Sequence, residues 1–117
     1  MTLPVVYLAT GKVGWTPPTA NSDGSALTPG EVTGYIVGLR SLSVAGTVAG
    51  TYPIQSPPTS ATAVTEALSA ITANLKADSY AAAVQAQSAN GPSAWSTEVQ
   101  FQGVLPVPNA PTNPTVA

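Results

Sequence analysis

Residues 15–37, WTPPTANSDGSALTPGEVTGYIV, decide the fold. Over Lys12–Thr16 the two-residue period of a strand puts Val13 and Trp15 on one face. Pro17-Pro18 ends that strand, because proline donates nothing to a ladder. Asn21 to Pro29 is a loop of Asn, Asp, Gly and Ser, residues that tolerate turn geometry. The chain re-enters a strand over Thr33–Ser41, with Tyr35, Val37 and Leu39 on one face and Ile36 on the other. A Trp and a Tyr delivered to one interior by two such strands is the way a β-sandwich strand crosses to its neighbour. The expected class is all-β.

Short strands follow in both directions. Val5 to Ala9 is the first, and Thr10-Gly11 turns it into Lys12–Thr16. Gly46 to Tyr52 reads as a short edge strand ended by Pro53, and Ser56-Pro57-Pro58-Thr59 as a loop. Residues 61–77 fit two patterns. Val64, Leu68, Ile71 and Leu75 fall at helical spacing among alanines, which allows a short helix within 61–70. Ile71, Ala73 and Leu75 alternate equally well as a strand, and the sequence after them favours a strand for this second half. Beyond it, Tyr80, Ala82, Val84 and Ala86 share a face, and Ser88-Ala89-Asn90-Gly91 carries the Asn-Gly hairpin signal. A last strand runs from Trp95 to Gln102 with Val99 and Phe101 facing in. The sum is about seven strands in two antiparallel sheets. Residues 1–103 form the sandwich and residues 104–117 an extended tail, since Pro106, Pro108, Pro111 and Pro114 forbid a helix and favour a polyproline-like path.

Composition bounds the function. The 117 residues suffice for one domain with a core and are too few for two. Charged residues make up 7%, against roughly 25% in ordinary soluble domains, so the surface is neutral and rich in hydroxyls. Lys12, Arg40 and Lys76 are scattered and form no basic stripe, which argues against nucleic acid as a partner. A net charge of −2 gives a free monomer weak colloidal repulsion, and so sparse a surface suits a chain covered in an assembly. No stretch approaches the ~20 apolar residues of a membrane span, and residues 1–15 lack the pattern of a signal peptide. No membrane partner and no standard secretion are expected.

Catalytic chemistry finds no foothold. The chain has no His and no Cys, which removes the commonest general base, metal ligand and nucleophile pairings. Asp23, Glu31, Glu66, Asp78 and Glu98 are unpaired in sequence. Asp23-Gly24 suits a turn better than a calcium site, which needs several converging oxygens. No catalytic, cofactor or metal residue is assigned, and no cofactor is expected. Among the aromatics, Trp15, Tyr35, Tyr80 and Phe101 belong to the core with Leu75 and Val84. Tyr7, Tyr52 and Trp95 are candidates for stacking on a partner protein or a sugar ring.

Three blocks carry a family resemblance. WTPPTANSDGSALT with GYIV, LKADSY, and VQAQSANGPSAWSTEVQF resemble the second and third strands, the tyrosine corner and the last hairpin of a fibronectin type III domain of the bacterial and bacteriophage variety. LKADSY is one residue shorter than the family's usual corner and lacks its Pro-Gly. The resemblance implies an immunoglobulin-like two-sheet sandwich. It implies a tyrosine corner at Tyr80, core positions for Trp15, Tyr35, Tyr80 and Phe101, a Trp95 that half-covers the sandwich edge in preference to stacking on a ligand, and an opening strand of a further repeat in PNAPTNPTVA. The function to which this leads, by analogy of fold, is that of a structural or accessory protein of a bacteriophage virion assembled in the host cytoplasm. A capsid decoration or cementing role comes first and a neck, tail or fibre component second. Partners would be capsid or tail subunits, or further copies, met through sandwich edges and through Pro108, Pro111, Pro114 and Val116. The alternatives are an extracellular carbohydrate- or cell-surface-binding module, or a spacer of a secreted bacterial enzyme.

Overall fold

A computed structural model describes residues 2–71 and 75–117. Among them run seven strands and one helical turn: β1 (Val5–Tyr7), β2 (Lys12–Gly14), β3 (Val32–Ser41), β4 (Ile54–Gln55), β5 (Thr65–Ala67), α1 (Leu68–Ile71), β6 (Asp78–Ser88) and β7 (Val99–Val104). They form two sheets, a five-stranded one in the order β1-β7-β6-β3-β4 and the pair β2-β5. The class is all-β. Antiparallel pairing prevails except at the β1 edge, where β1 runs parallel to β7 with Val5 beside Gln102 and Tyr7 beside Val104. The first strand thus lies on the last one and leaves β2 with β5 alone.

The core lies between the sheets. β3 is buried along most of its length because both of its faces are covered. Inward, Val37 and Leu39 are fully buried with Leu68, joined by Leu8, Val13, Tyr80 and Phe101. Each such aliphatic side chain contributes about 1.5–3 kcal/mol. The residues assigned to the core gather there: Tyr35, Tyr80 and Phe101 are buried, while Trp15, Leu75 and Val84 are half-buried against the cluster. Trp15 stands 5.2 Å from Tyr35 between ring centroids, and Tyr80 stands 5.7 Å from Phe101. The Tyr80 hydroxyl donates to the Lys76 carbonyl at 2.6 Å, tying the entry of β6 to the chain just before it.

Several boundaries differ from expectation. Gly46 to Tyr52 is no strand. Gly46 (φ 89°) and Gly50 (φ 87°) adopt left-handed backbone, which bends the chain into successive turns closed by Thr47 N–H on Val44 and Thr51 N–H on Val48. The edge strand is β4, after Pro53 instead of before it. Over 61–77 the outcome is β5 and then the single turn α1, so Ile71 is helical and Val64 is exposed. Leu75 to Ala77 is not strand, and Ala73 lies outside the described residues. The last strand begins at Val99, not Trp95, and Val99 is 56% exposed because it stands at the open flank of the sandwich. β7 includes Val104, so the tail starts one residue later than expected.

Two stretches that fail to register as strand are nevertheless pinned to the sheet by hydroxyls. Ser56 donates its N–H to the Val37 carbonyl and accepts the Val37 N–H on Oγ, both at 2.9 Å. Thr59 does the same with Tyr35, at 2.9 and 3.1 Å. On the other side, Ser93 exchanges two bonds with Ala86, and Ser96 two with Val84. In each ring a side-chain oxygen replaces the carbonyl that a regular strand would present. On the β3 side Pro57 and Pro58 lie between the two rings and have no N–H to add to the ladder. In the 93–98 stretch, Ser96 faces Val84 while Val99 faces Ala82, so three residues span two. That bulge lifts Trp95 and Glu98 onto the outer face of the five-stranded sheet.

Candidate functional site

The outer face of that sheet is built on small residues. Gly38 pairs with Ala83, and Arg40 with Ala81. Tyr52 and Trp95 lie over this flat floor. A Cβ at Gly38 would come within 2.6 Å of the Tyr52 Cβ and 3.0 Å of the Trp95 Cη2. The two rings meet at 4.5 Å between centroids, tilted by 51°. Beside them Arg40 donates from Nε at 2.6 Å and from Nη2 at 2.8 Å to the two oxygens of Glu98, a bidentate pair. The Tyr52 hydroxyl also donates to Glu98, at 2.9 Å.

The electrostatics follow from these contacts. Arg40, and then Tyr52, hold the Glu98 carboxyl below the usual glutamate range despite its partial burial. The Tyr52 phenol is pushed up by burial first and by Glu98 second. A groove of about 830 Å³ opens next to this cluster, between Trp95, Thr97 and Glu98 on one side and Leu3 and Pro4 on the other. Such a wall of one half-exposed indole among hydroxyl and amide groups offers a stacking face and hydrogen bonds.

The other carboxylates serve their own neighbourhoods. Asp23 accepts the N–H and hydroxyl of Ser25 at 2.9 and 2.6 Å, which closes the 21–25 turn and lowers its pKa. Glu31 caps Thr28. Asp78 accepts the hydroxyls of Ser41 and Ser43, which hold it below its ordinary value. The described residues hold no cluster of three or more metal-ligating side chains. No helix among them is long and apolar enough to cross a membrane.

Of the residues singled out for partner contact, Tyr52 and Trp95 are brought together, but on each other. Tyr52 is only 5% exposed, covered by Trp95, and is no free stacking surface. Trp95 remains half-exposed at the groove. Tyr7 stands apart on β1, exposed beside Val5 on the outer face. Pro108, Pro111, Pro114 and Val116 are all exposed in a tail that makes the molecule 76 Å long against 30 and 24 Å in the other directions. Thirteen residues in extended polyproline geometry reach ~40 Å. The radius of gyration of 18.1 Å exceeds the ~13 Å of a compact chain of this size for the same reason.

Arg40, Glu98 and Gly38 escaped the sequence reading. The spacing of Gly38 and Arg40 put them on the face opposite Val37 and Leu39, and that was their only signal. Comparison with protein-family models, curated proteins and solved structures finds no match.

Proposed function

We propose that this chain is a non-enzymatic assembly protein: an immunoglobulin-like sandwich of the fibronectin type III kind that acts on a bacteriophage particle as a decoration protein or as a neck, tail or fibre component. The exposed proline-rich tail carries this reading. A 13-residue extended segment with Leu105, Val107 and Val116 in solvent is suited to lie along another subunit. The tyrosine-corner contact of Tyr80, the Trp15–Tyr35 packing and the β2-to-β3 crossing support the family assignment. The scarcity of charge supports a surface that is covered in use. The sandwich supplies rigidity, and the tail and free strand edges supply backbone pairing. An antibody raised against the chain should label purified particles of the source phage at fixed copy number. Its absence from particles at every stage of assembly overturns the reading.

The groove at Trp95 favours a second reading, a carbohydrate-binding module, because an indole beside Thr97 and Gln100 offers both a stacking face and hydrogen bonds. Quenching of Trp95 fluorescence by a panel of cell-surface glycans, lost in Trp95→Ala, would establish it.

A further inference from the structure

The open edge of β2 has a definable occupant. In β2 the inward residues turn their peptide groups to β5: Trp15 N–H donates to Val64, and Leu68 N–H reaches the Gly11 carbonyl, both at 2.9 Å. The peptide groups of Lys12, Gly14 and Thr16 therefore point the other way, where no strand lies among the described residues, because β1 has moved to β7. Beside that edge a groove of about 310 Å³ opens between the sheets onto Val6, Val13, Leu68, Val99 and Phe101. Three of these, Val13, Leu68 and Phe101, are core residues.

Chain geometry restricts what can fill the vacancy. The edge-facing residues of β2 have outward side chains. A strand added antiparallel would turn its own outward residues to β2, and one added parallel would turn its inward residues there. The parallel β1–β7 pair displays this rule. Inward Leu8 donates to outward Val104, and outward Gln102 donates to Pro4. The tail reads Leu105-Pro106-Val107-Pro108-Asn109. Added in parallel, Leu105 and Val107 enter the groove and their N–H groups face β2, while Pro106 and Pro108 turn outward to the side that needs no donor. Added antiparallel with the same residues inward, the prolines would face β2 without a donor.

Direction then excludes the chain's own tail. Gly11, at the start of β2, lies against Val6 and Tyr7, whereas Gly14 shares the groove with Pro4 and Val99. Hence β2 runs opposite to β1 and β7. The tail leaves β7 along that strand's direction, and Val104 is still held by Leu8, so Leu105 cannot reverse to run parallel to β2.

We propose that Leu105–Asn109 of a second copy adds as a parallel strand to the Lys12–Thr16 edge, with Leu105 and Val107 in the groove over Val13, Leu68 and Phe101. The contact joins a tail to an edge, so two copies that exchange tails close as a two-fold dimer, and copies that pass tails in one direction form rings or filaments. This rests on the assembly reading above and names one partner of the tail.

The test uses the full chain. Sedimentation velocity should show concentration-dependent association, and the amides of Lys12, Gly14 and Thr16 should exchange at least about tenfold more slowly in the associated state. Val107→Pro removes a required donor from an exposed position without touching the sandwich, and should abolish both effects. A synthetic peptide of residues 104–110 should break the assembly while keeping those amides protected. A chain that stays monomeric with fast-exchanging edge amides overturns the proposal. So does a monomer whose edge amides are slow, which would place its own tail there, or an association indifferent to Val107→Pro. A chain that is monomeric yet present on particles refutes this inference alone. One that associates through its tail but is never found on particles refutes the virion reading alone.

Discussion

Ser56→Ala should destabilise the sandwich distinctly more than Ser93→Ala, although the two serines make the same pair of bonds. Each presents Oγ to a strand N–H at 2.9 Å and donates its own N–H back. Alanine keeps the second bond and deletes the first. The difference is solvent. Val37 is fully buried and Ser56 is 5% exposed, so the Val37 N–H is left unsatisfied. An orphaned buried donor costs about 1–3 kcal/mol, and a central value of ~2 kcal/mol is reasonable here. The Ala86 N–H, bonded to an exposed Ser93, can turn to water, which limits the loss to about 0.5–1 kcal/mol. For a domain of this size ~1 kcal/mol moves Tm by about 4 °C. Ser56→Ala should therefore lower Tm by ~8 °C and Ser93→Ala by less than ~4 °C. Urea unfolding followed by Trp15 and Trp95 fluorescence measures both on one scale. Ser56→Thr, which keeps the hydroxyl, should recover much of the loss. Equal effects for the two alanines, or a larger one at Ser93, would refute the idea that hydroxyls stand in for ladder carbonyls.

Three further outcomes follow from the same geometry. Glu98 and Asp78 both have folded pKa values held below their ordinary 4.5 and 3.8, so the stability they add is present above those values and drains away as pH falls through the lower folded ones. Glu98→Gln should flatten the acid limb of a Tm-versus-pH curve relative to the parent chain; an unchanged limb would remove Glu98 from the account. Gly38→Ala drives a methyl into the Tyr52 Cβ, and should cost about 1–3 kcal/mol while shifting Trp95 emission to the red as the ring lifts off the sheet; a stable variant with unshifted emission would contradict the packing. Tyr80→Phe loses the Lys76 contact and should cost about 1 kcal/mol in chemical denaturation without altering the far-UV circular dichroism; no loss would mean the Tyr80–Lys76 bond adds nothing to stability.

The strands that the sequence revealed are those whose large apolar residues alternate, even though the middle of each is buried on both faces. Tyr35, Val37 and Leu39 fall on one face of β3, and Tyr80, Ala82 and Val84 fall on the same face of β6 beside them. Trp15 and Phe101 announced themselves by size. What stayed illegible depended on partners far along the chain. Nothing local says that β1 will leave β2 and pair with β7, yet that choice creates the open edge. Gly46 and Gly50 could have sat in a strand; their left-handed backbone became visible only once turns were needed to return the chain over Gly38. Arg40 and Glu98 stand fifty-eight positions apart and meet only because the bulge before Val99 lifts Glu98 to the outer face. In hindsight the hydroxyl spacing was a usable signal: Ser56 and Thr59, like Ser93 and Ser96, are three apart and flank residues that break or leave the ladder.

Amide exchange over residues 105–110, compared between the free chain and the chain in the proposed assembly, tests the central claim most directly. If the tail is the working part, Leu105, Val107 and Asn109 exchange fast when free and become strongly protected when assembled. If they stay fast while amides near Trp95 and Thr97 become protected, the partner holds the outer sheet face, and the tail is only a tether.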